Sequence, residues 1–105
     1  MIKVIFFIAE KRHKGFEISG HAYHGEAGSD IVCAAVSSAA YMAANTVTDI
    51  IGADATATQT DAKLTLTVNS PTEQTETVLK GLDLHLKELS RQFSENIKVI
   101  YGGVK

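Results

Sequence analysis

FEISGHAYHGEAGSDIVCAAVS, residues 16–37, changes its period halfway along. Phe16 and Ile18 alternate with Glu17 and Ser19, the two-residue repeat of a strand. Residues 20–29 have no period and carry glycines at 20, 25 and 28, which marks a loop. From about residue 30 the apolar positions recur every three or four residues, the repeat of a helix. The same stretch holds the one cysteine of the chain, Cys33, and two of its four histidines, His21 and His24.

Upstream, Ile2, Val4, Phe6 and Ile8 fall on one side of a strand, and Ile5, Phe7 and Ala9 on the other. A strand apolar on both sides predicts cover on both faces, by helices or by a dimer partner. EKRHKG, residues 10–15, reads as a polar turn, so residues 2–9 and 16–19 form a hairpin. Its His13, and His85 further on, read as surface or core-edge histidines.

Downstream, the helix runs over about 30–51 and Gly52 ends it. Val32, Val36, Ala39, Ala43, Val47 and Ile50 make its apolar stripe; Asp30, Cys33, Ser37 and Tyr41 make a neighbouring one. ADATATQT (53–60) and KLTLTVN (63–69) alternate as a second hairpin, with Leu64, Leu66 and Val68 facing the core. SPTE, residues 70–73, predicts a helix start with Ser70 as the cap, Pro71 at the first position and Glu73 closing a capping box. Val78, Leu82, Leu86, Leu89 and Phe93 carry the buried face of that helix, and IKVIY (97–101) is a last strand. The expectation is a single α/β domain (α+β-like) over 1–105, in the order ββαββαβ, with a mixed, partly antiparallel sheet and two helices packed on it.

Composition sets limits. Of 105 residues, 45% are hydrophobic and 21% charged, a globular rather than a disordered balance. A net charge of −2 carries no basic footprint, so no direct nucleic-acid binding is expected. No uninterrupted apolar run reaches the ~20 residues of a membrane span, and none is expected. MIKVIFFIAE at the N-terminus lacks a basic leader and reads as a strand. One cysteine cannot form a disulfide within the chain, which fits a reducing cytoplasm.

The chemistry concentrates in residues 20–37. Ser29 or Asp30 is the expected cap, which puts Cys33 in the first helical turn. There the helix dipole favours a thiolate, but its ~0.3–2 kcal/mol does not complete the ionisation at neutral pH. A second cation is needed, and His21 at the end of the strand is the candidate. Asp30, Cys33 and Ser37 share a helix face. Asp30 beside the thiol makes sense as a cap or as the group that orients His21. The competing readings are a cysteine that only packs, in a non-catalytic binding module, and a redox-sensing thiol, although no resolving cysteine is present. HxxH with a distant cysteine fits no standard zinc spacing, and the glycines fit no phosphate loop; no metal or cofactor is expected.

Gly20-His21-Ala22, followed by Gly28-Ser29-Asp30-Ile31-Val32-Cys33-Ala34-Ala35-Val36-Ser37, resembles the motif of the ribosomal-processing cysteine protease family, Prp. The resemblance implies a cytoplasmic, homodimeric cysteine endopeptidase. Its substrate would be the short N-terminal extension of a large-subunit ribosomal protein. It further implies Cys33 as nucleophile, His21 as general base, and Gly20, Asp30 and Ser37 as supporting residues. The loop from Ala22 to Ser29 would close over the peptide. His24 is not part of the family pattern, and His21 is the favoured base. A ribosome-associated assembly module is the non-catalytic alternative.

Overall fold

In a computed structural model, residues 1–20, 29–61 and 63–102 are described; for residues 29 and 30 this covers the backbone only. The elements are β1 (Ile2–Ala9), β2 (Arg12–Ser19), α1 (Ser29–Asn45) with a π-helical turn (Thr46–Ile50), β3 (Ala55–Gln59), β4 (Lys63–Val68), α2 (Glu73–Gln92) and β5 (Ile97–Tyr101). This is the expected ββαββαβ order. The five strands form one sheet in the order β3-β4-β2-β1-β5. Among the described residues, only the β1–β5 pair is parallel; the other three are antiparallel.

The first hairpin is longer than its sequence suggests. β2 begins at Arg12, because Glu10 and Lys11 both take positive φ (55° and 65°) and make a two-residue turn. Paired positive φ matches the twist of the flanking strands, though neither residue is one that favours it. His13 is drawn into the strand as a result, and it is buried rather than at the surface.

Both helices lie on one face of the sheet. Val4, Phe6, Phe16 and Leu66 from the strands share a single core with Val36 and Val47 of α1 and Leu79 and Leu86 of α2. Of the two expected covers for the faces of β1, helices supply one face only. Its other side presents Ile5 and Phe7 to the opposite face, where Phe7 pairs with Gly15 and is still buried.

α1 buries Val32, Val36, Ala40, Ala43 and Ala44, and the π-helical turn buries Val47. The predicted stripe shifts at its end, because the π-helical turn rotates the chain and leaves Ile50 80% exposed. Gly52 follows with φ +68°, and the Ala53 amide donates back to the Val47 carbonyl, which closes the helix. By length and composition alone, Ile31–Ile50 is enough to cross a membrane, which corrects the expectation that no segment is. Its buried stripe is occupied by the domain's own sheet and α2.

The second helix starts later than expected. Thr72, not Ser70, is the cap: its Oγ1 accepts from the Thr75 amide (3.2 Å), and the Thr72 amide donates to Thr75 Oγ1 (2.9 Å). Ser70 is engaged elsewhere, its hydroxyl donating to Asp54. Of the predicted face, Leu82 and Leu86 are buried, joined by Thr75 and Leu79, while Val78, Leu89 and Phe93 are partly buried.

Candidate active site

Gly20 ends the strand that leads to the site, and no other residue fits there. Its φ is +84°, and a Cβ would lie 2.4 Å from the carbonyl oxygen of Met1. Any side chain would meet the backbone of Met1, which leads directly into β1 and cannot move without disturbing the sheet. The close approach fixes the point at which the chain leaves the sheet, one residue before His21.

Across the gap, α1 begins at Ser29. The backbone of Ser29 and Asp30 is helical; their side chains, and with them the expected cap, lie outside the described residues. Cys33 is the fifth residue of Ser29–Asn45. Side chains on a helix lean toward its N-terminus, so the thiol overhangs the first turn. Cys33 is half-buried: it packs against the core and also lines a cleft of about 130 Å³.

That cleft brings together three of the five predicted site residues, Gly20, Cys33 and Ser37. Its floor is apolar, from Ile18, Val36, Ala40 and Leu64. Ile18 and Leu64 are direct cross-strand partners on β2 and β4. The far rim is polar and comes from the second hairpin, with Gln59, Thr60, Asp61 and Lys63. Lys63 Nζ lies 3.9 Å from Glu17 Oε1 on the neighbouring strand. His21, His24 and the predicted loop, together with the Asp30 side chain, lie outside the described residues, so the choice between Asp30 as cap and as orienter rests on the helical backbone alone.

The hairpin was not foreseen as part of the site. Its sequence announces two alternating strands and nothing about where their tip lies. Tyr41, placed by its spacing in the Cys33–Ser37 stripe but not counted among the site residues, lines the cleft one further turn along.

A family model described as cysteine protease Prp matches residues 1–98. The chain belongs to that family. It is a cysteine protease, as the resemblance in residues 20–37 implies. The chain is also similar to the Streptococcus mutans protein SMU.848, at 26% identity over 97% of this chain and 94% of that one, with a TM-score of 0.81. A second similar structure is the essential ribosomal processing protease Prp from S. aureus, solved with a covalently linked product peptide. It is 24% identical, covers 96% of this chain and 99% of its own, and has a TM-score of 0.85. The same S. aureus protein with a substrate peptide matches at 23% identity over the same shares. At these identities the S. aureus structures show the fold. No curated protein matches the chain.

Proposed function

We propose that this Prp-family protease removes the short N-terminal extension of a large-subunit ribosomal protein, with Cys33 as nucleophile and His21 as general base. The observation that carries this reading is the position of Cys33: near the start of α1, half-buried, and opening on a cleft wide enough for a peptide side chain. The similar S. aureus protein, a ribosomal processing protease that takes a peptide, supports the substrate class.

In this mechanism His21 accepts the Cys33 proton, and the thiolate attacks the scissile carbonyl carbon to form a tetrahedral oxyanion. The amides of residues 29–31 open α1 with no acceptor inside the helix. In this mechanism they supply the donors that an oxyanion needs. His21 then returns the proton to the leaving amine as the thioester forms. Water, deprotonated by His21, hydrolyses the thioester and frees Cys33. Gly20 sets the chain's exit toward His21, Ser37 donates a hydroxyl to the cleft one turn from the thiol, and Asp30 either belongs to the helix start or orients His21.

A cytoplasmic homodimer belongs to the same proposal. The lone thiol and the ribosomal substrate support the compartment. The apolar groove between α1 and α2, lined by Ala39, Met42, Val78 and Leu89, is the kind of surface a second copy covers. Its solution mass, by light scattering, tests it.

Incubation of the protein with extended ribosomal proteins, followed by mass measurement, tests the activity. Wild type is expected to release the extension, while Cys33→Ala and His21→Ala each lower cleavage by about a thousandfold or more. Undiminished cleavage by Cys33→Ala would exclude the mechanism. A non-catalytic thiol would instead resist a small alkylating reagent near neutral pH.

A further inference from the structure

Tyr41 is the one residue of the Cys33 stripe that the reaction leaves unused. Positions 33, 37 and 41 are one turn apart on α1, and all three line the cleft. At 1.5 Å per residue, Cys33 to Tyr41 spans about 12 Å. An extended peptide advances about 3.3 Å per residue, so the cleft runs alongside roughly three to four substrate residues on one side of the bond at Cys33.

The distal end is closed by two side chains from different elements. Gln59 Nε2 of β3 donates to the Tyr41 hydroxyl of α1. Behind this pair the floor is wholly apolar, with Ile18 and Leu64 from the sheet and Val36 and Ala40 from the helix. A cavity of about 130 Å³ is close to the ~150 Å³ of an apolar cavity that takes one benzene ring. It therefore holds one substrate side chain, and its floor favours the apolar part of that side chain, with Asp61 and Lys63 at the rim.

We propose that the Tyr41–Gln59 pair is a specificity wall: it limits the size of the apolar side chain accepted three or four residues from the scissile bond. The inference rests on Cys33 being the nucleophile, since that places the scissile bond at the near end. A side chain too long for the floor has to part Tyr41 from Gln59. Both are exposed on their outer side, so the wall is adjustable by single substitutions without disturbing the core.

The test is cleavage-site profiling. A proteome-derived peptide library is digested with wild type, Tyr41→Phe, Tyr41→Ala and Gln59→Ala, and the products are read by mass spectrometry. Wild type is expected to select an apolar residue at the third or fourth position on one side of the cut. Tyr41→Ala and Gln59→Ala are expected to raise the large-to-small ratio at that position by about tenfold, with the preference at other positions unchanged. Tyr41→Phe, which keeps the ring and loses the hydrogen bond, is expected to fall between. Thermal unfolding of each variant identifies one that fails to fold, and the exposed Gln59→Ala variant carries the test alone if the tyrosine variants do. An unchanged ratio at this position, or an equal change at every position, overturns the wall. Wild type that cleaves the library but not a ribosomal extension removes only the substrate assignment. Wild type that cleaves nothing, or Cys33→Ala that cleaves equally well, removes the nucleophile and the wall with it.

Discussion

At the scale of single residues, the motif that carries the chemistry is also a set of steric requirements. Gly20 is the clearest case. Its φ of +84° and the 2.4 Å approach to the Met1 oxygen exclude every side chain. Gly20→Ala is expected to destabilise the fold by about 1–3 kcal/mol, the cost of a residue forced into sparsely allowed backbone space. It is also expected to lower peptide cleavage more than the stability loss alone explains, because it displaces the exit toward His21. Thermal unfolding and cleavage rates measured below the melting point separate the two effects. A neutral Gly20→Ala variant would show that the backbone there relaxes freely. The importance of Gly20 was legible in the sequence as part of a motif, but its physical reason was not. The clash is with Met1, nineteen residues away in the chain and brought alongside only by strand pairing.

At the scale of elements, periodicity located all seven strands and helices, and local chemistry misplaced some of their ends. The cap of α2 illustrates why. Ser70, Pro71 and Glu73 satisfy the usual starting pattern, yet Thr72 and Thr75 form the reciprocal box. Ser70 lost the competition because Asp54, far away in sequence, takes its hydroxyl. Thr72→Ala is expected to cost about 1 kcal/mol, and Ser70→Ala less, since its bond to Asp54 is exposed and long at 3.3 Å. Chemical denaturation of both variants checks the order; the reverse order would return the cap to Ser70. At the start of α1, two capping candidates sit side by side at 29 and 30, and the backbone of both is helical.

At the scale of the whole molecule, the structure joins segments that no local pattern connects. His13 is held between two carboxylates of α2: Nδ1 lies 2.7 Å from Glu76 Oε2 and Nε2 lies 2.9 Å from Asp83 Oδ2. Tyr101 donates its hydroxyl to the other Asp83 oxygen (2.5 Å) and stacks on Phe6, so β1, β2, β5 and α2 meet in one cluster. Burial pushes the Glu76 carboxyl up, but hydrogen bonds from the His13 ring and amide, with the charges of His13 and Lys80, outweigh it and leave Glu76 below its ordinary value. For Tyr101, burial first and then Asp83 push the phenol up. A carboxyl lowered by folding stabilises the native state fully above its unfolded value of about 4.5, and that contribution is lost as pH falls through the lower folded value. Glu76→Gln is therefore expected to lower the melting temperature by several degrees at pH 7, with the gap to wild type narrowing as the pH falls below about 4.5. Thermal scans across pH 3–7 measure it, and a gap constant with pH would remove Glu76 from the acid response. By itself, the sequence determined the order of elements, the core faces of β1 and α2, and the stretch that holds the thiol, because these follow from periodicity and from residues close together in the chain. Only the tertiary structure decided that His13 is buried, that both helices share one face, and that the second hairpin closes the cleft beside Cys33. Each of these depends on strand register and helix docking between segments tens of residues apart. A side-chain pattern records which face of a segment is apolar, but not which distant segment will cover it.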